Sequence, residues 1–153
     1  MRVFVLTALV AFFSLGQAHA QITLQDGEIK LGIGERPAVL HGVVKNQSKS
    51  ATRLIGASSP AFERIELHTH TKSSDGTMRM HSVESYALPA MGSVDLKPGG
   101  HHLMLFGFTG QIGDIVGVRL SFADGRSLDI KAPTKARAKH KSNHMHKMNH
   151  EMN

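Results

Sequence analysis

The 153 residues contain no cysteine, no tryptophan, one tyrosine and five prolines. Without cysteine there can be no disulfide, no thiol nucleophile and no thiolate metal ligand. Blue-copper electron transfer is excluded with them, because such a site needs a cysteine thiolate. Any soft sulfur donor must be one of the eight methionines. Long apolar runs are also missing beyond the first twenty residues, so no later segment reaches the roughly 20 apolar residues a membrane helix requires.

The first twenty residues differ from the rest. "MRVFVLTALVAFFSLGQAHA" has a basic Arg2, an apolar stretch from Val3 to Leu15 and Ala18-His19-Ala20 at its end. That is the layout of a secretory signal cleaved after Ala20. It predicts an exported product that starts at Gln21, with no stable membrane span after cleavage. The expected divisions are a signal peptide at 1–20, a folded domain at 21–133 and a tail at 134–153.

A single sign of charge dominates only at one end. From Gln21 to Ile130 there are 11 Lys or Arg and 11 Asp or Glu, whereas Lys131 to Asn153 holds six Lys or Arg against one Glu. The basic pI belongs to the C-terminus. Nucleic-acid binders carry positive charge on a folded face, and a neutral exported body with so few aromatic residues does not fit that class.

The body reads as all-β. "AVLHGVVKN" and "TRLIGAS" are β-rich runs separated by the loop-like "QSKSA". "ERIELHTH" alternates, and "KSSDG" turns the chain into "TMRMHSV". "GSVDLKPGG" is a short strand with a Pro-Gly-Gly stop. Val116, Val118, Leu120 and Phe122 alternate with Gly117, Arg119 and Ser121, and "ADGR" leads into "SLDIKA" as a hairpin signal. Many short strands at about ten-residue spacing predict a sandwich or barrel. After Pro133 the sequence has almost no aliphatic residues, which predicts a disordered tail.

Within this pattern His and Met recur at strand spacing. In "HHLMLF", His102 and Met104 share one face while Leu103 and Leu105 share the other. Met78 and Met80 share a face, as do His68 and His70. Thioethers are soft, neutral donors that favour Cu(I), and imidazole is a borderline partner. Zinc sites prefer His, Cys and carboxylate, and no Asp or Glu shares the spacing.

Four segments together, "LIGASSPAFERIELHTH", "DGTMRMHSV", "LPAMGSVDLKPGGHHLML" and "GDIVGVRLSFADGRSLDIKAP", with "VVKNQS" before them, resemble the PCuAC proteins, periplasmic copper chaperones associated with cytochrome c oxidase assembly. The resemblance covers about Val43 to Pro133. The family signature is a His, ten residues, a Met, twenty-one residues, then His-x-Met. Here twenty-one residues separate Met80 from His102, and Met104 completes the motif. Eleven residues, not ten, separate His68 from Met80; His70, with nine between, is the competing assignment. "IELH" matches the family at His68, and the extra residue fits the "KSSDG" turn. The resemblance implies a cupredoxin-like β-sandwich with Cu(I) held by His68, Met80, His102 and Met104. It also implies delivery to a receiving protein such as a cytochrome c oxidase subunit or another assembly chaperone.

The tail offers a second donor set: His140, His144, Met145, His146, Met148, His150 and Met152. Its imidazoles suit Cu(II), and its thioethers could keep the ion once reduced. A copper chaperone is the leading reading, with a periplasmic copper store or detoxification protein as the alternative. No H-E-x-x-H, G-x-S-x-G or carboxylate pair accompanies the His/Met set, so an enzyme is not expected.

Overall fold

A computed structural model describes residues 21–136, and every helix or strand among them is a strand. Alternation makes them so. In β9 (Ile115–Phe122), Val116, Val118, Leu120 and Phe122 are buried while Gly117 and Arg119 are exposed, the period-two pattern of a half-buried strand. β10 (Ser127–Ala136) returns antiparallel through a turn in which Gly125 has a φ of +84°, a conformation that glycine adopts without steric cost. β3 (Thr52–Ser58) pairs with β9 and bears β6 (Tyr86–Leu88) on its other edge.

The facing layer runs in the order β5 (Met78–Ser82), β4 (Arg64–Lys72), β8 (His102–Phe106), β2 (Ala38–Asn46) and β1 (Ile22–Leu31), with β7 (Ser93–Leu96) also on β2. The two layers enclose Leu40, Leu54, Leu88, Leu103, Leu105 and Leu120, each almost inaccessible to water. Full burial of such a side chain contributes about 1.5–3 kcal/mol. The all-β, cupredoxin-like sandwich expected from the sequence is the observed architecture.

Three features depart from the sequence reading. The short β6 was not among the expected strands, and neither was β1. It carries a bulge between Gln25 and Glu28, with Asp26 at a φ of +52°, so its Asp-Gly pair kinks a strand instead of turning a hairpin. β10 also runs three residues past the expected domain boundary at Pro133. Up to Pro133 it pairs with β9; from Thr134 to Ala136 it pairs in parallel with β1. Pro133 has no N–H for a ladder and sits where the strand changes partners. Thr134 is buried, and its hydroxyl lies within donating distance of the carbonyls of Gln111 and Asp114, 3.1 Å from each. The folded body therefore reaches Ala136. The expected export signal at 1–20 and the tail donors from His140 onward lie outside the described residues.

Candidate metal centre

β4 lies between β5 and β8, and the register of the three strands brings the donors together. His68 pairs with His102, Glu66 with Met104 and His70 with Met80. Leu67, Leu103 and Leu105 point into the core, so these six side chains share the opposite face, Glu66 included, which corrects the expectation that no Asp or Glu shares the His/Met spacing. β5 is the edge strand, and Met78 and Met80 are about half exposed there. His102, by contrast, is only 4% exposed, although it stands on the face turned away from the core. The rings of His68 and His70 flank it at centroid distances of 6.1 and 5.1 Å.

The hydrogen bonds of His102 define its tautomer. Nδ1 lies 3.0 Å from the Gly100 carbonyl. A carbonyl only accepts, so Nδ1 carries the proton and Nε2 presents a lone pair. Burial pushes the His102 pKa down; the bond to Gly100 opposes this, and the neighbouring His70, His68 and His101 add to the lowering. The ring is therefore held neutral, as a metal ligand must be. Nε2 faces the Met80 Sδ at 3.3 Å. At bond lengths of about 2.0 Å to nitrogen and about 2.3 Å to sulfur, two donors 3.3 Å apart subtend about 100° at a shared ion, near the tetrahedral angle.

His68 has a comparable arrangement. Its Nε2 is 2.9 Å from the Glu66 carboxylate, which is held below its usual pKa first by this bond and then by Arg64. Donation from Nε2 leaves Nδ1 as the free lone pair, and Nδ1 is buried with no hydrogen-bond partner. His70 Nδ1 is likewise buried without a hydrogen-bond partner, with no bond at Nε2 to fix its tautomer. A buried acceptor without a donor is costly, and a bound metal would satisfy it.

An open cleft of about 630 Å³ borders the cluster. His70, Met80, His102 and Met104 line it; His68 does not. Its farther wall holds Val39 and His41 of β2, Lys30 of β1, and Lys135 and Ala136 at the end of β10. His41 was absent from the sequence reading. Its one signal was a lone imidazole inside the apolar run "AVLHGVV". Among the described residues no three His, Asp or Glu side chains are grouped to hold an ion, so the convergence seen here depends on thioether as well as imidazole.

Beneath the site, Tyr86 reaches across from β6. Its hydroxyl lies within donating distance of the carbonyls of His68 (2.7 Å) and His102 (2.8 Å). Burial pushes the phenol pKa far up, the two carbonyl bonds acting in opposition, so the proton stays on the oxygen. The ring packs against His101 at 4.4 Å.

Comparison with known proteins supplies the lineage. The copper-bound PCuAC domain from PmoF2 superposes with a TM-score of 0.63 at 24% identity, covering 78% of this chain and 97% of that one. Apo-DR1885 from Deinococcus radiodurans is 27% identical with a TM-score of 0.56, covering 90% of this chain and 95% of that one. The Cu(I) form of DR1885 is 25% identical with a TM-score of 0.58, covering 78% and 81%. In sequence, the "Putative lipoprotein Lxx21020" of Leifsonia xyli subsp. xyli is 34% identical over 97 residues, which are 61% of this chain and 58% of that protein. The chain thus spans less than two thirds of that curated relative. The profile of the family described as "Putative lipoprotein LpqE-like" matches residues 15–134. This chain, with its PCuAC fold, belongs to the LpqE-like family.

Proposed function

We propose that the protein is an exported copper chaperone that holds one Cu(I) between β4, β5 and β8 and surrenders it to an acceptor. The observation that carries this reading is the contact of His102 Nε2 with Met80 Sδ at 3.3 Å, with the imidazole proton committed to Gly100. Met104 lines the same cleft and supplies the second thioether. The fourth donor is His68. Metal-bound histidines almost always donate their second ring N–H to a carboxylate or carbonyl. His102 has Gly100 for this, and His68 has Glu66. The four donors are neutral, a set that suits soft Cu(I) better than harder divalent ions. Half-exposed Met80 gives an acceptor access to the ion.

The acceptor in this reading is a copper-receiving protein such as a cytochrome c oxidase subunit or another assembly chaperone. Export follows from the leader, with cleavage after Ala20 releasing the chain into the periplasm. The tail captures Cu(II) through His140, His144, His146 and His150. Met145, Met148 and Met152 retain the ion after one-electron reduction by an external reductant. Two facts support a hand-over from tail to body. Ala136, the last described residue, lies on the cleft wall, and His140 follows four residues later in the sequence, a span of at most about 14 Å. The density of donors in the tail also favours the second reading, a copper store.

Stoichiometry separates the two readings. Anaerobic Cu(I) titration of the chain with and without residues 137–153 should show one tightly held, transferable ion in the body. Loss of all binding on truncation would reject the body site. Several ions held against a competing chelator would favour the store.

A further inference from the structure

His70 stands on the same face as the four proposed donors and is not one of them. It pairs directly with Met80 across β4 and β5. Its ring centroid lies 5.1 Å from that of His102, against 6.1 Å for His68. The two β4 histidines are two residues apart, about 6.6 Å along the strand, and both border His102.

Anchoring and access separate them. His68 commits a ring nitrogen to Glu66 and His102 one to Gly100, at 2.9 and 3.0 Å, as firmly held metal ligands do. Among the described residues, neither ring nitrogen of His70 is tied to a carboxylate or carbonyl. The His68 side chain is 12% exposed and lines neither the metal cleft nor the cleft beside it. His70 lines both: the metal cleft with Met80, His102 and Met104, and a second open cleft whose walls include Asp95, Gly100 and His101. Lys30, Arg36 and Lys135 line the metal cleft, with Glu28 paired to both lysines, so positive charge is in excess there. In the second cleft Asp95 pairs with Lys97 at 3.1 Å. A donor can thus reach His70 past a balanced ion pair instead of that excess.

We propose that His70 is the exchange ligand of this site: it takes the ion from His68 and presents it to the donor of an acceptor. The inference rests on the Cu(I) reading above. An anchored imidazole keeps its ion, whereas an unanchored one can turn without breaking a hydrogen bond. In the first step a copper–nitrogen bond to His70 forms as that to His68 breaks, and Met80, His102 and Met104 stay bound. In the second, the acceptor's donor bonds to copper as His70 leaves. Both rings stay neutral, no proton moves and the ion remains Cu(I).

The test is His70→Asn in the full chain loaded with Cu(I) under anaerobic conditions. Affinity is measured by competition with bicinchoninate, and release is timed after adding excess bathocuproine disulfonate. In the parent chain the release rate should level off as chelator concentration rises, because the move from His68 to His70 precedes attack. In the variant, affinity should stay within about threefold of the parent chain. Its release should slow by about tenfold or more and rise linearly with chelator. An unchanged release rate would overturn the proposal. So would a loss of affinity of about tenfold, which would make His70 a holding ligand in place of His68. A parent chain that binds no Cu(I) would overturn the metal-site reading itself, a result distinct from either. A second measurement needs no variant: substoichiometric Cu(I) should broaden the imidazole ¹⁵N signals of His70, and signals that stay sharp and unshifted would reject the role.

Discussion

Tyr86→Phe removes one oxygen atom and tests whether the second sheet holds the site in place. The Tyr86 ring is 1% exposed, and its hydroxyl supports the carbonyls of two proposed ligands, His68 and His102. Phenylalanine fits the same space, so no cavity term beyond the lost oxygen is expected. What is lost is a buried hydrogen bond, worth about 1 kcal/mol net, plus the cost of leaving carbonyl oxygen less well satisfied, about 1–3 kcal/mol when complete. Two carbonyls share one proton, and each has a second lone pair for the strand ladder, so the sum lies near 2 kcal/mol. With an unfolding entropy of about 2.1 cal/mol/K per residue, a domain of this size should lose about 8 °C in Tm. The assay is thermal and urea unfolding of the metal-free chain, followed by Cu(I) competition. If the hydroxyl fixes the spacing of β4 and β8, Cu(I) affinity should fall about tenfold, the equivalent of 1.4 kcal/mol. A variant within 0.5 kcal/mol of the parent chain and unchanged in affinity would refute the reasoning.

Further outcomes follow from other groups. Met80→Leu, His102→Ala, Met104→Leu and His68→Ala should each weaken Cu(I) binding at least tenfold in a chelator competition, and His70→Ala should not; the reverse result for the two β4 histidines would move the ligand by one outward position. Glu28 is held at a pKa of about 2 by its bond from Lys135 first and that from Lys30 second. A depressed carboxyl stabilises the fold fully above its unfolded pKa, about 4.5, and loses that contribution as pH falls toward 2. The shift sets a ceiling of about 3 kcal/mol, and surface screening reduces it to about 1 kcal/mol. Urea unfolding of Glu28→Gln should therefore lose about 1 kcal/mol less than the parent chain between pH 5 and pH 2, the other depressed carboxyls acting alike in both. Electron paramagnetic resonance of the full chain with one equivalent of Cu(II) should give a nitrogen-rich signal that vanishes on truncation after Ala136; the same signal from the truncated chain would remove the tail from the capture step.

Local pattern was enough for much of this fold. β2 and β3 span the runs "AVLHGVVKN" and "TRLIGAS", because both are apolar, β-rich and bounded by loop residues. β1 escaped because Asp26-Gly27 reads locally as a turn, and only pairing with β2 reveals a bulge. The end of β10 escaped because "TKA" offers no aliphatic residue; its hold comes from parallel backbone pairing with β1 and the Thr134 hydroxyl. At the site, period two paired His102 with Met104 and Met78 with Met80, and the resemblance to the PCuAC proteins joined Met80 to the His102–Met104 pair. His41 could not be grouped with them, since it comes to line the same cleft as His102 only through the pairing of β2 with β8, which no local pattern encodes. The burial of His102 was equally hidden. Alternation sets the face a side chain occupies, but His68, His70 and the Pro98–Gly99 wall beside the cleft decide how covered that face is.

X-ray absorption at the copper K edge of the chain truncated after Ala136 and loaded with one equivalent of Cu(I) tests the central claim most directly. A site of His68, Met80, His102 and Met104 predicts a Cu(I) edge and a mixed first shell of two nitrogens at about 2.0 Å and two sulfurs at about 2.3 Å. A shell of nitrogen and oxygen alone, or a truncated chain that retains no copper, would contradict it.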